Sequence, residues 1–300
     1  MRVASTTIYR QVVAAMQQAQ GELATAQQQL SSGQRITRAG EDPSAFSSAS
    51  RMTARLSELA GYGRAGDRAE HRLSMAETRI AQGADLLGRV REIAVQGNNA
   101  TLSESDRVAL AGEVAQIREQ LLQTANATDG EGRPLFAGTA DGAAFTPDAG
   151  GVVRYSGNAG TRLVAINEGS TVADGERGTA VFGGDSANAF AAVDAVAAAL
   201  AEPDPVARAD GFAASLDALD ARLEQLNLAR GRIGARLSAI DRAGAVRDAE
   251  NEQLTAARSA LVDTDITRAV TDMAQAGNRL SATQQAYLQV QQQSLFDLIR

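Results

Sequence analysis

The two ends of this 300-residue chain restrict its fold more than any other feature. Residues 1–30 and 263–300 carry apolar residues at alternating steps of three and four, the spacing of a helix that packs along a partner helix. The first series is Ile8, Val12, Met16, Ala19, Leu23, Ala26 and Leu30, and the second is Ile266, Val270, Met273, Gly277, Leu280, Gln284, Tyr287, Gln291, Ser294 and Leu298. Both stripes are thin and diluted by glutamine, so neither helix is expected to be stable alone. The pattern predicts that the termini meet, inside an assembly.

Composition excludes several classes of protein. The chain is 44% hydrophobic but only 4% aromatic, has no Trp, and carries a formal charge of −7, which favours extended helical packing over one large core. Its basic residues are scattered among acids, so a nucleic-acid partner is not expected. No apolar stretch approaches the roughly 20 residues that span a bilayer, so no membrane partner is expected either. No Sec-type signal peptide is expected, because polar residues interrupt the apolar ones near the N-terminus. Without Cys, disulfides and thiolate chemistry are excluded.

Capping signals divide most of the chain into helices. The first helix is predicted to end near Gly33, and Asp42 followed by Pro43 predicts a new helix start, because Asp accepts first-turn amide hydrogens and Pro needs none. Ser103 and Asp106 resemble a capping box that opens the next helix. After Pro203 and Pro205, a stripe of roughly 50 residues from Leu216 to Leu261 predicts a very long helix. These elements predict that the helices in the first part of the chain run antiparallel to those in the last part.

Residues 130–184 differ from the rest, with 13 of the 28 glycines and four of the eleven aromatic residues. This composition predicts an inserted strand-rich region. Residues 152–156 and 161–166, separated by 157–160, are predicted to pair as a hairpin. The four aromatic residues are expected to form a small core; they are Phe136, Phe145, Tyr155 and Phe182.

No catalytic, metal or cofactor site is predicted. The single His, His71, has no second His or Cys to complete a metal site or a dyad. Asp263 and Asp265 are expected to cap the last helix, and residues 126–132 fail as a calcium loop because Ala125 occupies the first ligand position. An enzyme is therefore not expected.

Several motifs at the two ends are similar to those of a known family. They are Met1-Arg2-Val3-Ala4-Ser5, Leu30-Ser31-Ser32-Gly33-Gln34-Arg35-Ile36, Glu41-Asp42-Pro43-Ser44-Ala45, Asp263-Thr264-Asp265-Ile266, Ala286-Tyr287 and Ser294-Leu295-Phe296-Asp297-Leu298. In the middle, Arg91 to Gln96 and Gly132 to Thr139 also fit. The chain resembles the bacterial flagellin superfamily, and its junction-protein branch more than filament flagellins. Glu41 and Gln34 are mild departures from the usual pattern.

The resemblance implies a mainly α fold: a long antiparallel helical rod or coiled coil formed by both termini, with one inserted small β-rich outer domain. The implied domains are an inner coiled coil (1–42 and 256–300), a helical rod (43–129 and 186–255) and the outer domain (130–185). Gly33, Arg35, Asp42 and Pro43 would form the domain hinge. The inner-domain assembly contacts would come from Ile8, Val12, Met16, Leu23, Leu30, Ile266, Val270, Met273, Leu280, Tyr287, Leu295, Phe296 and Leu298.

The implied function is structural: a ring of about eleven copies that joins the hook and the filament of the flagellum. Implied partners are other copies of the chain, a neighbouring hook-associated protein, filament flagellin, and an export chaperone at the C-terminal helix. Export would follow the flagellar type III route to an extracellular position. Two alternatives stay open at this point: a filament flagellin, and a surface adhesin or carbohydrate-binding module acting through the β-rich region.

Overall fold

The computed structural model describes the backbone of residues 2–184 and 187–298, and the side chains of residues 7, 9–184, 187–289 and 291. This part of the chain is mainly helical and divides into two compact units, residues 1–58 with 250–300 and residues 59–249. Its helices are α1 (Arg2–Ser32), α2 (Pro43–Gly97), α3 (Glu104–Ala125), α4 (Gly178–Val181), α5 (Ala189–Ala201), α6 (Pro205–Val262) and α7 (Ile266–Leu298). None of the helices in the described ranges is both long and apolar enough to cross a membrane.

The predicted helix starts are confirmed by hydrogen bonds. Asp42 Oδ1 accepts from the backbone N–H of Ala45 at 3.0 Å and from the Ser44 hydroxyl at 2.9 Å, and α2 begins at Pro43. Ser103 Oγ accepts from the Asp106 N–H at 3.2 Å and donates to its carboxylate at 2.6 Å. Both caps satisfy first-turn groups that a helix leaves without an internal partner.

Ion pairs show how the helices of the second unit are arranged. Arg91 in α2 binds Asp220 in α6 at 2.7 Å, and Glu77 binds Arg230 at 2.8 Å. The partner number rises as the α2 number falls, so the two helices run antiparallel. Between them lies one continuous apolar core that also takes in α3 and α5; its members include Leu73, Ile80, Leu87, Ile117, Leu121, Phe190, Val193, Leu219, Leu226 and Ile233.

The aromatic residues of the strand-rich region lie together, as predicted. The ring of Phe136 meets that of Phe182 edge-on at 5.4 Å, and Phe145 meets Phe182 at 5.7 Å, the arrangement that aromatic quadrupoles favour. Phe145 also contacts Phe190 of α5, with ring centroids 5.3 Å apart. The strands therefore share the core of the second unit with its helices.

The predicted pairing of residues 152–156 with 161–166 is wrong. Instead β2 (Val153–Tyr155) pairs with β1 (Phe145–Pro147), and β3 (Leu163–Asn167) pairs with β4 (Ser170–Ala173), both antiparallel. A third short pair joins β5 (Gly183–Gly184) and β6 (Ala187–Asn188).

Side chains in the loops explain the change of partner. Asp148 Oδ1 accepts from the N–H groups of Gly150 at 2.9 Å and Val152 at 3.0 Å, which closes a turn before β2. Asn158 Oδ1 accepts from Thr139 N–H at 2.9 Å and Gly160 N–H at 3.0 Å, so residues 157–160 are tied to residue 139 and do not form a hairpin turn. Gly169, with φ of +71°, supplies the turn between β3 and β4.

Close packing at the end of α2 gives a first stability prediction. A Cβ on Gly97 would lie 2.8 Å from Leu200 Cδ2 and 2.8 Å from Phe212 Cζ, whereas a Cβ on Gly112 in α3 would meet nothing within 4 Å. We expect Gly97→Ala to lower the free energy of unfolding by about 1–3 kcal/mol through overpacking. The matched Gly112→Ala is expected to raise it by up to about 1 kcal/mol, because Ala favours a helix. Urea unfolding of both variants checks this; equal midpoints would contradict the described packing.

Candidate assembly site

The N-terminal helix packs on α7 through the stripe predicted for it. Ala19 and Ala26 are buried, and Val12, Met16, Leu23 and Leu30 are half-buried. The alternating steps of four and three therefore select the face that meets α7. Ile8, also predicted in this stripe, lies outside the residues whose side chains are described.

On α7 the contact face differs from the predicted stripe. Ala269 and Ala276 are buried, and Met273, Leu280 and Tyr287 are half-buried. Ile266 and Val270, however, are 65% and 45% exposed, so they lie outside the contact between α1 and α7, and their role as assembly contacts stays a prediction. Alanine allows closer approach of two helix backbones than a branched side chain, and α7 is turned so that its alanines face α1. Leu295, Phe296 and Leu298 lie outside the residues whose side chains are described.

Among the described residues of α1 and α7, only four are fully buried, and all four are alanines: Ala19, Ala26, Ala269 and Ala276. In each helix they are seven residues apart, which is one heptad. Sequence reasoning undervalued this signal because it weighted large apolar residues. Burying a methyl group removes far less apolar area from water than burying Leu or Met. The contact between α1 and α7 is therefore only weakly stabilising.

Polar contacts supplement this shallow apolar contact. The rings of Tyr9 and Tyr287 lie 5.6 Å apart, their hydroxyl oxygens are 3.1 Å apart, and this hydrogen bond raises the pKa of Tyr287 above its usual range. Arg279 binds Glu22 at 2.9 Å. Because both charges are largely solvated, the ion pair contributes little, of order 0–1 kcal/mol.

The base of the pair is fixed by backbone bonds near Gly33. Gly33 has φ of +68°, the left-handed conformation that ends α1. Its carbonyl accepts from Thr264 N–H at 2.9 Å, while Arg35 N–H donates to Val262 O at 2.7 Å. The Arg35 guanidinium also donates to Leu261 O at 2.6 Å, where a helix ends with unpaired carbonyl groups.

The residues that follow complete a tight connection to α2. Glu41 accepts from the N–H groups of Thr37 at 2.7 Å and Arg38 at 3.2 Å, and these bonds lower the pKa of Glu41. The bond from the Ala45 N–H likewise lowers the pKa of Asp42. Gly33, Arg35 and Asp42 thus lie in the connection between α1 and α2, and Pro43 is the first residue of α2. The role of these four residues as a hinge stays a prediction.

The remaining titratable candidates lie in ordinary surroundings. Asp265 accepts from the Arg268 N–H at 3.1 Å and caps α7 as predicted, whereas Asp263 accepts from the Ser259 hydroxyl near the end of α6. His71 is exposed. Within the described residues no group of three or more His, Cys, Asp or Glu side chains could hold a metal ion.

Comparison with known proteins shows which proteins this chain is similar to. The chain is 28% identical over 318 residues to flagellar hook-associated protein 3 of Escherichia coli, covering 99% of both chains. The family model of the bacterial flagellin N-terminal helical region matches residues 3–141. The chain is thus similar to flagellar structural proteins, over almost its whole length to hook-associated protein 3 and over residues 3–141 to flagellins.

Other flagellar proteins are also similar to this chain. A flagellin of Bacillus subtilis is 26% identical and covers 91% of each chain. The structure of a flagellar hook-associated protein from Vibrio parahaemolyticus has a TM-score of 0.70 and 25% identity, covering 74% of this chain and 99% of its own. The chain thus shares helical packing with small antiparallel sheets with a solved flagellar hook-associated protein. The three-domain division at 42/43, 129/130, 185/186 and 255/256 stays a prediction.

Proposed function

We propose that this chain belongs to the bacterial flagellin superfamily and forms the ring that joins the hook and the filament of the bacterial flagellum. The end-to-end match to hook-associated protein 3 supports this assignment, because it includes both terminal helices and the strand-rich region. The B. subtilis flagellin matches over a smaller share of the chain. The proposed role needs no catalytic group.

The observation that carries the proposal is the shallow contact between α1 and α7. Ordering a residue costs roughly 1–2 kcal/mol of backbone entropy, and four buried alanines offset little of that cost over two helices of 31 and 33 residues. Further apolar residues of α7 stay exposed: Ile266, Val270 and Leu288. Ile266 and Val270 are one turn apart, and Leu288 follows five turns later on the same face. Neighbouring subunits would cover this face and stabilise the pair.

We further propose the partners and the route that this role requires. The chain would assemble as about eleven copies between a neighbouring hook-associated protein and filament flagellin. Before assembly, an export chaperone would cover the C-terminal helix, whose exposed apolar face would otherwise aggregate. Export through the flagellar type III apparatus would place the protein outside the cell without a Sec signal.

Deleting the gene and locating the protein in intact flagella tests the proposal. We expect the deletion strain to release filament polymer into the medium and to keep bare hooks, and an epitope-tagged copy to label one position at the end of the hook. Complementation with the unmodified chain is the control. Label along the whole filament would favour a filament flagellin, and loss of the filament polymer itself would do the same.

The adhesin alternative has less support. Phe136, Phe145 and Phe182 are buried in the core and Tyr155 is half-buried, so none of them offers an open ring on which a sugar could stack. Label confined to the cell surface in the same experiment would nevertheless favour an adhesin.

A further inference from the structure

A group of charged side chains lies in the second unit where residues 174–180 cross α6. Glu176 is buried, and its carboxylate accepts from Arg232 at 3.1 Å and Arg236 at 2.9 Å. The same two arginines donate to backbone oxygens, Arg232 to Ala180 at 3.2 Å and Arg236 to Gly175 at 2.9 Å. These bonds hold the segment against α6.

A cavity of about 430 Å³ opens beside this segment. Three guanidinium groups and one carboxylate line it, those of Arg177, Arg232, Arg236 and Glu176, together with the Thr161 side chain. The wall therefore has an excess of two positive charges. This excess is local, because the chain as a whole has a net charge of −7.

One arginine that lines the cavity, Arg177, and one that lies near its lining segment, Arg72, have donor capacity left. Arg177 is exposed and makes no ion pair with any described residue. Arg72 is only 6% exposed, and its Nε has no hydrogen-bond partner among the described atoms. That Nε lies 3.7 Å from where a Cβ on Gly175 would be, so it faces the cavity-lining segment.

A second, much smaller cavity of about 10 Å³ lies at Arg72. It shares part of its lining with the larger one: Thr161, Gly175, Glu176 and Arg177. A space of this size holds one water molecule. One water there would accept from Arg72 Nε and link it to whatever lies in the larger cavity.

We propose that the larger cavity binds a small oxyanion, for which inorganic phosphate is the probe. The planar guanidinium group matches the oxygen spacing of phosphate and sulfate and binds them in bidentate fashion. The guanidinium of Arg177 would supply these two bonds, and the Thr161 hydroxyl would add one. Glu176 opposes the anion from the same wall, although its charge is already matched by two guanidinium groups.

This arrangement predicts opposite effects of two substitutions, which a purely structural role would not produce. Arg177→Gln removes a donor from an exposed position and is expected to weaken phosphate binding about tenfold. Glu176→Gln removes the opposing charge and is expected to strengthen phosphate binding several-fold. The matched control is Arg79→Gln, which removes a guanidinium from the surface of the same unit, where it binds only Gln82 at 3.0 Å.

Isothermal titration calorimetry of the full chain with phosphate measures these affinities. Titration with chloride at equal ionic strength is the control. Thermal unfolding is a second readout: phosphate at ten times its dissociation constant is expected to raise Tm by roughly 2–5 °C. If Glu176→Gln folds poorly, the comparison of Arg177→Gln with Arg79→Gln still tests the proposal. Equal phosphate affinity in the wild type, Arg177→Gln and Arg79→Gln, or no binding at all, would overturn the proposal. Neither result bears on the flagellar role, which is tested separately.

Discussion

Replacing Asp129 with Ala is expected to lower the free energy of unfolding by about 3–5 kcal/mol, because it leaves the buried guanidinium of Arg72 without its carboxylate. The two side chains form an ion pair in which both are 7% exposed. Without Asp129, Arg72 would keep its bond to Pro134 O at 2.5 Å and the more distant charge of Asp174, but no carboxylate would be hydrogen-bonded to it. Asp129 Oδ1 additionally accepts from the N–H groups of Glu131 at 3.0 Å and Arg133 at 2.9 Å, so the turn before Pro134 would also loosen.

The same carboxylate makes stability depend on pH. Burial acts to raise the pKa of Asp129, but the bonds from the Arg133 and Glu131 N–H groups and the charge of Arg72 outweigh it and hold the pKa below its usual range. A lowered pKa in the folded state stabilises the protein above the pKa of the unfolded chain, and this stabilisation is lost as pH falls through the folded value. We therefore expect a steep loss below about pH 4 in the wild type.

Chemical unfolding between pH 3 and pH 7 measures both effects. Asp141→Ala is the matched control, because Asp141 is exposed and its loss is expected to change stability by no more than about 0.5 kcal/mol. The Asp129 variant should lose part of the acid-dependent slope, whereas the Asp141 variant should keep it. Equal stabilities of the two variants at pH 7 would contradict the buried ion pair.

Replacing Val270 with Asp is expected to reduce incorporation into flagella roughly 100-fold while leaving the free chain folded. Val270 is 45% exposed in the described chain, so a carboxylate there costs the monomer little. If neighbouring subunits cover this face, the same carboxylate loses its water without gaining a partner, which costs several kcal/mol. The effect arises only on assembly.

Thr271→Asp is the matched control for Val270→Asp. Thr271 is the next residue of α7 and is also exposed, but it points about 100° away around the helix. Complementation of a deletion strain, followed by counting attached filaments and by circular dichroism of each purified variant, checks the prediction. Attached filaments at wild-type numbers with Val270→Asp would show that this face is not a subunit contact.

Local signals in the sequence predicted the helices well. Two helix caps are formed by residues at most three positions apart, namely Asp42 with Pro43 and Ser103 with Asp106. A short sequence pattern is therefore enough to predict them. The seam of α1 was also predictable, because large apolar residues mark its edges. The face of α7 that packs on α1 was not predictable, because Ala269 and Ala276 give a weaker hydrophobic signal than the nearby Ile266 and Val270.

Features that depend on distant residues could not be predicted. Arg72 and Asp129 are 57 positions apart, and nothing in either local pattern marks them as a buried pair. Asn126 donates to Phe145 O and accepts from its N–H, each at 2.8 Å, which ties the end of α3 to β1 across 19 residues. The strand partners followed from such loop contacts, and alternation of apolar residues alone cannot specify them.

Hydrogen exchange on the backbone amides of residues 266–289 shows whether α7 becomes stable only when the chain assembles. Amides of α2 around Ile80 and Leu87, in the buried core, are the internal reference and should be protected in both states. We expect fast exchange of the α7 amides in the free monomer and slow exchange in intact flagella. Protection of α7 in the free monomer equal to that of α2 would contradict this expectation.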